Sequence, residues 1–131
     1  GFLVWRLDNR GTVGRGHGFE TPIFGQLGQA ALDDQLAGIE YLTALPYVDA
    51  VRVGTDGKSF GGYMSLYALI HAPDVFKAGV VGSAPTRWED YDTVYTERYM
   101  GTPQDDPEAY RLGNVLTYAE QLEDPDGLML A

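Results

Sequence analysis

The sequence predicts an α/β fold: a parallel sheet with helices on both faces. Three observations carry this expectation. Residues 2–7, 28–44, 47–56, 60–71 and 76–83 read in turn as strand, helix, strand, helix and strand, the order that builds a parallel sheet. The run over 76–83, with Ala78-Gly79-Val80-Val81, does not alternate apolar with polar, as expected for a strand covered on both faces. A Gly57-x-Ser59-x-Gly61 turn falls where the second strand passes into the second helix.

Each element has its own reason. Phe2 to Leu7 is an apolar run long enough for a strand. Residues 8–18 follow as a glycine-rich loop, and 21–27 continue irregularly. Over residues 28–44, Leu32, Leu36, Ile39, Leu42 and Leu45 recur at near-helical spacing, and Pro46 stops the helix. Tyr47, Val48, Val51 and Val53 supply the strand leading to the turn. Tyr63, Met64, Leu66, Tyr67, Leu69 and Ile70 supply the helix after it, which Ala72-Pro73-Asp74 ends. Residues 86–104 read as an aromatic and acidic excursion. Short helices are expected from Pro107 to Leu112 and from Val115 to Glu123, with a turn at Pro125-Asp126-Gly127. The chain opens at Gly1 without a methionine and ends on the apolar run Leu128 to Ala131. Both ends therefore read as cut, and residues 1–131 as one partial domain.

Composition narrows the function classes. The net charge is −10, and 11 of the 19 acidic residues lie from Glu89 onward, against only Arg98 and Arg111 as bases there. Nucleic-acid binding needs a basic surface, so it is not expected. With no cysteine, a disulfide framework and a thiolate metal site are excluded, and nothing calls for a metal or another cofactor. No apolar run approaches the ~18 residues of a membrane span. The compartment is left open between periplasmic, extracellular and cytoplasmic.

The chemistry concentrates at Ser59. A serine at the tip of a strand-to-helix turn has a strained backbone and a raised hydroxyl, and glycines two positions before and after relieve crowding. The helix that begins there points its free N–H groups and positive dipole end at the reaction centre, which favours an oxyanion formed when Ser59 attacks a carbonyl. The turn fits neither a dinucleotide-binding G-x-G-x-x-G nor a Walker loop, because Arg52 stands where the latter needs glycine.

Four blocks carry a resemblance: Asp8-Asn9-Arg10-Gly11; Asp34-Gln35 with Tyr47-Val48-Asp49; Gly57-Lys58-Ser59-Phe60-Gly61-Gly62-Tyr63; and RWEDYDTVYTERYMG over residues 87–101. The chain resembles the catalytic domain of the prolyl oligopeptidase family, a branch of the α/β-hydrolases, and the last block is similar to its dipeptidyl peptidase IV branch. The resemblance implies a partial α/β-hydrolase fold, truncated before its later strands. It implies a serine peptidase acting on short peptides and releasing dipeptides after Pro or Ala. Ser59 would be the nucleophile and the Phe60 backbone N–H an oxyanion donor. Trp88, Tyr91 and Tyr95 would line the pocket for the residue before the scissile bond, a role suited to the flat apolar ring of proline. Read without the family, such an aromatic cluster is ordinary core. The implied partner is a peptide substrate, and a homodimer of the longer protein is compatible with the resemblance.

The chain also departs from the pattern. Lys58 stands where the branch usually has Trp, Phe60 where it usually has Tyr, and Val13 where a glycine is common. The Ser83-Ala84-Pro85-Thr86 stretch is one residue short.

A serine nucleophile needs a base, and the expected chain order is Ser, Asp, His. His71, twelve residues along the helix from Ser59, is about 18 Å away and reads as a C-terminal helix cap. His17 reads as a surface loop residue. The acid and the histidine are therefore expected beyond Ala131, and the segment alone is expected to be inactive. It is also expected to expose the strand over 76–83 as an apolar edge. The alternatives are an acylaminoacyl peptidase or esterase of the same fold, and a non-catalytic binding homologue.

Overall fold

The computed structural model describes residues 1–122 and the backbone of Leu128–Leu130. Three parallel strands form one sheet in the order β1-β2-β3: β1 Val53–Lys58, β2 Phe76–Gly82 and β3 Leu128–Leu130. Ahead of the sheet lie a one-turn helix α1 (His17–Glu20), a 3₁₀ turn at Thr21–Ile23 and α2 (Gln29–Thr43). Helix α3 (Phe60–His71) crosses from β1 to β2. The 3₁₀ turn Trp88–Asp90, helices α4 (Thr93–Met100) and α5 (Pro107–Gly113), and the 3₁₀ turn Val115–Gln121 intervene before β3. The α/β class and its parallel sheet are thus as expected, and α2, α3, β2 and α5 fall within a residue or two of their expected bounds.

Residues 2–7 are not a strand. A strand exists only through its ladder, and β1 pairs with β2 alone among the described residues. The segment instead lies across α2. Leu7 packs at Gly38, where a Cβ would sit 2.9 Å from its Cδ2, and the Trp5 and Tyr41 rings are 6.2 Å apart. Residues 47–52 are likewise turns, closed by Val48 N–H to Leu45 O and Arg52 N–H to Asp49 O, so the second strand starts only at Val53. The glycine-rich loop does admit regular structure, because the αR-competent stretch from His17 folds as α1.

The strand over 76–82 differs from expectation in one way: it is the middle strand, paired on both edges, and not an exposed edge. Gly79 presses on α3, where a Cβ would lie 2.6 Å from Leu69 Cδ1, while Val80 on the opposite face is 37% exposed among the described residues. Thr55 of β1 meets Ser65 of α3 at 3.1 Å through their hydroxyls, which sets the same inward register.

The core gathers where α2, α3 and the segment after β2 meet. Tyr63 is fully buried, with its hydroxyl 2.7 Å from the Leu27 carbonyl and 2.8 Å from the Gly113 carbonyl. One proton thus ties α3 to both the start of α2 and the end of α5. Burial pushes the Tyr63 phenol far above its ordinary pKa, so it stays a donor.

The segment over 86–104 is more ordered than expected. Asp92 caps α4, its carboxylate accepting the Tyr95 N–H at 2.8 Å, and Gly101 ends the helix at φ 69°. Asp106 caps α5 in the same way, with Pro107 in its first turn. The turn expected at 125–127 lies outside the described residues.

Candidate active site

Ser59 sits between β1 and α3 at φ 57° and ψ −122°, one of two non-glycine residues with positive φ among those described. Its N–H donates to the Gly82 carbonyl at 2.8 Å, and its carbonyl accepts the Tyr63 N–H at 3.0 Å. A serine is held in this sparsely populated region only where its surroundings fix it. Here the two β-strand ends and the first turn of α3 do so.

The glycines around it do not share the work as the sequence pattern suggests. A Cβ on Gly57 would overlap the Gly61 carbonyl, so Gly57 is a steric requirement. A Cβ on Gly61 would meet nothing. The second crowded position is Gly62, where a Cβ would lie 2.5 Å from the Gly82 oxygen and 3.2 Å from Ala84 Cβ. The expectation of crowding two residues after the serine is therefore corrected to three residues after it.

Ser59 is exposed, and Phe60 is the first residue of α3. The Phe60 N–H has no acceptor within its helix, and the dipole end lies beside it. Lys58 is exposed and, by the alternation of β1, lies on the face away from α3. Trp88, Tyr91 and Tyr95 come together beside the elbow. The Phe60 ring is 6.3 Å from Trp88. Trp88 lies 6.0 Å from Tyr95 in a stacked arrangement and 6.0 Å from Tyr91 edge-on. Tyr91 and Tyr95 are 5.4 Å apart and nearly perpendicular. Exposure separates them: Trp88 is 1% exposed and Tyr91 40%. Trp88 is the backing of this wall, and the tyrosines are its face. Burial raises the Tyr95 phenol above its ordinary pKa, so it is a neutral hydroxyl.

A recess of about 250 Å³ opens beside the wall, lined by Phe60, Tyr95 and Tyr99 on one side and Asn9 to Thr12 on the other. That loop is clamped to α2. The Arg10 guanidinium and backbone N–H both bond Asp34, at 2.7 to 3.0 Å, and Gln35 donates to Asn9 Oδ1 at 3.0 Å. The Arg10 hydrogen bonds hold the Asp34 carboxyl below the usual carboxylate range. Two of the sequence blocks are thus one physical unit, a pairing that spacing alone does not announce.

The histidines stand apart from Ser59. His17 is exposed at the start of α1. His71 ends α3 with its ring between Tyr67 and Tyr118, at 4.1 and 4.7 Å, and its Nε2 is buried without a partner. Burial pulls its pKa down. It is a neutral ring in an aromatic box, not the cationic cap expected. Among the described residues, no three His, Cys, Asp or Glu side chains gather as metal ligands, and no helix is long and apolar enough to cross a membrane. Sequence reasoning missed Asn114, a buried amide under the turn that carries Trp88. Nothing in its local sequence marks it beyond a place at a helix end.

A parallel strand, a serine at positive φ and a helix whose N-terminus opens beside it define an elbow of the α/β-hydrolase class. The chain belongs to the prolyl oligopeptidase family of serine peptidases, which matches it over residues 1–131. It is 42% identical over 132 residues to human dipeptidyl peptidase 8, covering 99% of this chain. It is 32% identical, also over 132 residues, to mouse prolyl endopeptidase FAP. The structure of dipeptidyl peptidase 4 from Porphyromonas gingivalis superposes with a TM-score of 0.87 at 40% identity over 94% of this chain. The chain spans 15% of the length of dipeptidyl peptidase 8 and 17% of the Porphyromonas chain.

Proposed function

We propose that residues 1–131 are part of one α/β-hydrolase peptidase domain in a longer serine peptidase, one that releases dipeptides after Pro or Ala. The observation that carries this reading is the continuity of the elbow with the aromatic wall. Ser59 is held at φ 57°, Phe60 opens α3, and the Phe60 ring packs against Trp88.

In this reading Ser59 Oγ attacks the peptide carbonyl carbon and loses its proton to a histidine. The carbonyl oxygen becomes an oxyanion and accepts the Phe60 N–H, a donor already aimed and costing no reorganisation. Tyr91 and Tyr95, backed by Trp88, hold the flat side chain of the residue before the scissile bond. The histidine then gives that proton to the leaving amine as the C–N bond breaks, and the acyl-enzyme ester that remains is hydrolysed by a water whose proton follows the same path through the histidine back to Ser59 Oγ. Neither His17 nor His71 is placed to serve Ser59, so the base and its carboxylate come from outside residues 1–131. The chain by itself does not turn over peptide.

Fluorophosphonate labelling tests this directly. The longer protein is expected to label, its Ser59→Ala variant not at all, and the isolated chain far more slowly than the longer protein. A folded longer protein that does not label would leave the elbow inert and favour a binding homologue. Labelling with preference for N-acylated amino acids or simple esters over free-amino-terminal Xaa-Pro substrates would favour the acylaminoacyl peptidase or esterase reading.

A further inference from the structure

We propose that Asn114 is a positioning residue that, with Glu89, fixes the aromatic wall and so sets discrimination at the residue before the scissile bond. The inference rests on the peptidase reading above but on a separate set of contacts.

Trp88 begins the 3₁₀ turn Trp88–Asp90 after an extended Arg87, so its backbone N–H has no acceptor within the turn. That N–H is buried and needs an acceptor. Asn114 Oδ1 supplies it at 2.7 Å. Because the Trp88 N–H can only donate, the amide oxygen must face it, and the amide nitrogen must face the other way. There Nδ2 donates to Glu89 Oε2 at 2.6 Å. One buried side chain, itself 6% exposed, thus holds two consecutive residues of the turn from which the wall is built.

The hold on Asn114 is itself firm. Its N–H donates to the Tyr110 carbonyl at 3.0 Å, and its carbonyl accepts the Thr117 N–H at 3.1 Å. The amide is therefore anchored where α5 ends, at the same point where the Gly113 carbonyl meets the Tyr63 hydroxyl. Trp88 stacks on Tyr95 and meets Tyr91 edge-on, so a rotation of the turn moves all three rings. Such a chain acts on binding of the side chain against the wall more than on the attack at Ser59. Asn114 acts through Trp88 and touches no reacting atom.

The geometry permits an exchange test. Asn114→Asp keeps the acceptor for Trp88 but sets a carboxylate against Glu89. Adding Glu89→Gln gives that carboxylate a donor and restores the bond to residue 89 with its polarity reversed, while the Trp88 N–H still donates to residue 114. In the longer protein, KM for Xaa-Pro p-nitroanilides is expected to rise roughly tenfold in Asn114→Asp, the scale of one charge-assisted bond, with kcat much less affected. The Pro-to-Ala preference should fall with it. The double variant should recover both. Glu89→Ala, at an exposed side chain that does not endanger folding, should shift the same ratio in the same direction by less. Equal changes for Pro and Ala substrates, no recovery in the double variant, or no shift in Glu89→Ala would each overturn the proposal. Near-UV circular dichroism of the same proteins reports ring arrangement without catalysis. If the wild type hydrolyses no peptide, the peptidase reading fails. The loss and recovery of the aromatic signal then decide the positioning of the wall by Asn114 and Glu89.

Discussion

The two halves of the site are fixed by different physics. The elbow is held by backbone and steric exclusion. Ser59 is pinned by hydrogen bonds from its own N–H and carbonyl, and Gly57 and Gly62 are required because there is no room for a Cβ. The aromatic wall is held by side chains: the Asp92 cap, the Asn114 amide and a stack of rings. Backbone constraints are nearly all-or-none, since a clash with a carbonyl cannot relax without moving a strand. Side-chain constraints are graded, because one lost bond leaves the others in place. A fold built this way can vary its aromatic wall while Ser59 stays where it is.

The contrast breaks most sharply at the glycines. Gly57→Ala drives a methyl into the Gly61 carbonyl and Gly62→Ala into the Gly82 oxygen, so each is expected to cost more than about 3 kcal/mol or to abolish soluble expression. Gly61→Ala meets nothing and replaces glycine inside a helix, so it should be neutral or stabilise by roughly 0.5–1 kcal/mol. Thermal or denaturant unfolding of the three variants separates them. A Gly61→Ala variant as damaged as Gly57→Ala would mean that the elbow is crowded on both sides after all.

A smaller effect is expected at the wall. Asp92→Ala removes the carboxylate that accepts the Tyr95 N–H and should lower stability by about 1 kcal/mol. Asp92→Asn or Asp92→Ser should recover most of it. Because Tyr95 is the residue whose N–H is released, the Ala variant should also weaken binding of proline-containing inhibitors while leaving fluorophosphonate labelling of Ser59 close to wild type. Equal loss of both would show that wall and elbow are one unit rather than two.

The same contrast explains what the sequence made legible. The elbow could be read because backbone constraints leave residue-type signatures: glycine where no Cβ fits, and an apolar strand and helix either side. Even so, the pattern named Gly61 where geometry requires Gly62, because a motif records position and not contact. The resemblance over residues 87–101 points to the wall but not to α4 within it, although Asp92 stands at its start and Gly101 at its end. Aromatic and acidic composition outweighed the caps. Residues 2–7 and 47–52 read as strand in the sequence but form none, because apolar content alone cannot say whether a partner strand is present. Asn114 and the Arg10–Asp34 clamp were out of reach, since their partners lie 26 and 24 residues away in sequence.

The smallest expected effect lies at the far end of α3, where the helix that starts beside Ser59 ends at His71. Its ring faces the rings of Tyr67 and Tyr118. Burial lowers its pKa below the ordinary 6.5. The folded state therefore binds this proton less readily than the unfolded chain. The neutral ring costs nothing above pH 6.5, and stability is lost as pH falls from there through the depressed folded value. Asp34 has the opposite origin but the same sign at lower pH: its Arg10-bonded carboxylate favours the fold above the usual carboxylate range and loses that support well below it. The interval from pH 7.5 to 5 thus isolates the histidine. Over it, the wild type should lose somewhat more stability than His71→Phe, by less than about 1 kcal/mol because the ring is only part-buried. Parallel unfolding curves for the two proteins across that interval would show that His71 is solvated and that α3 ends in no aromatic box.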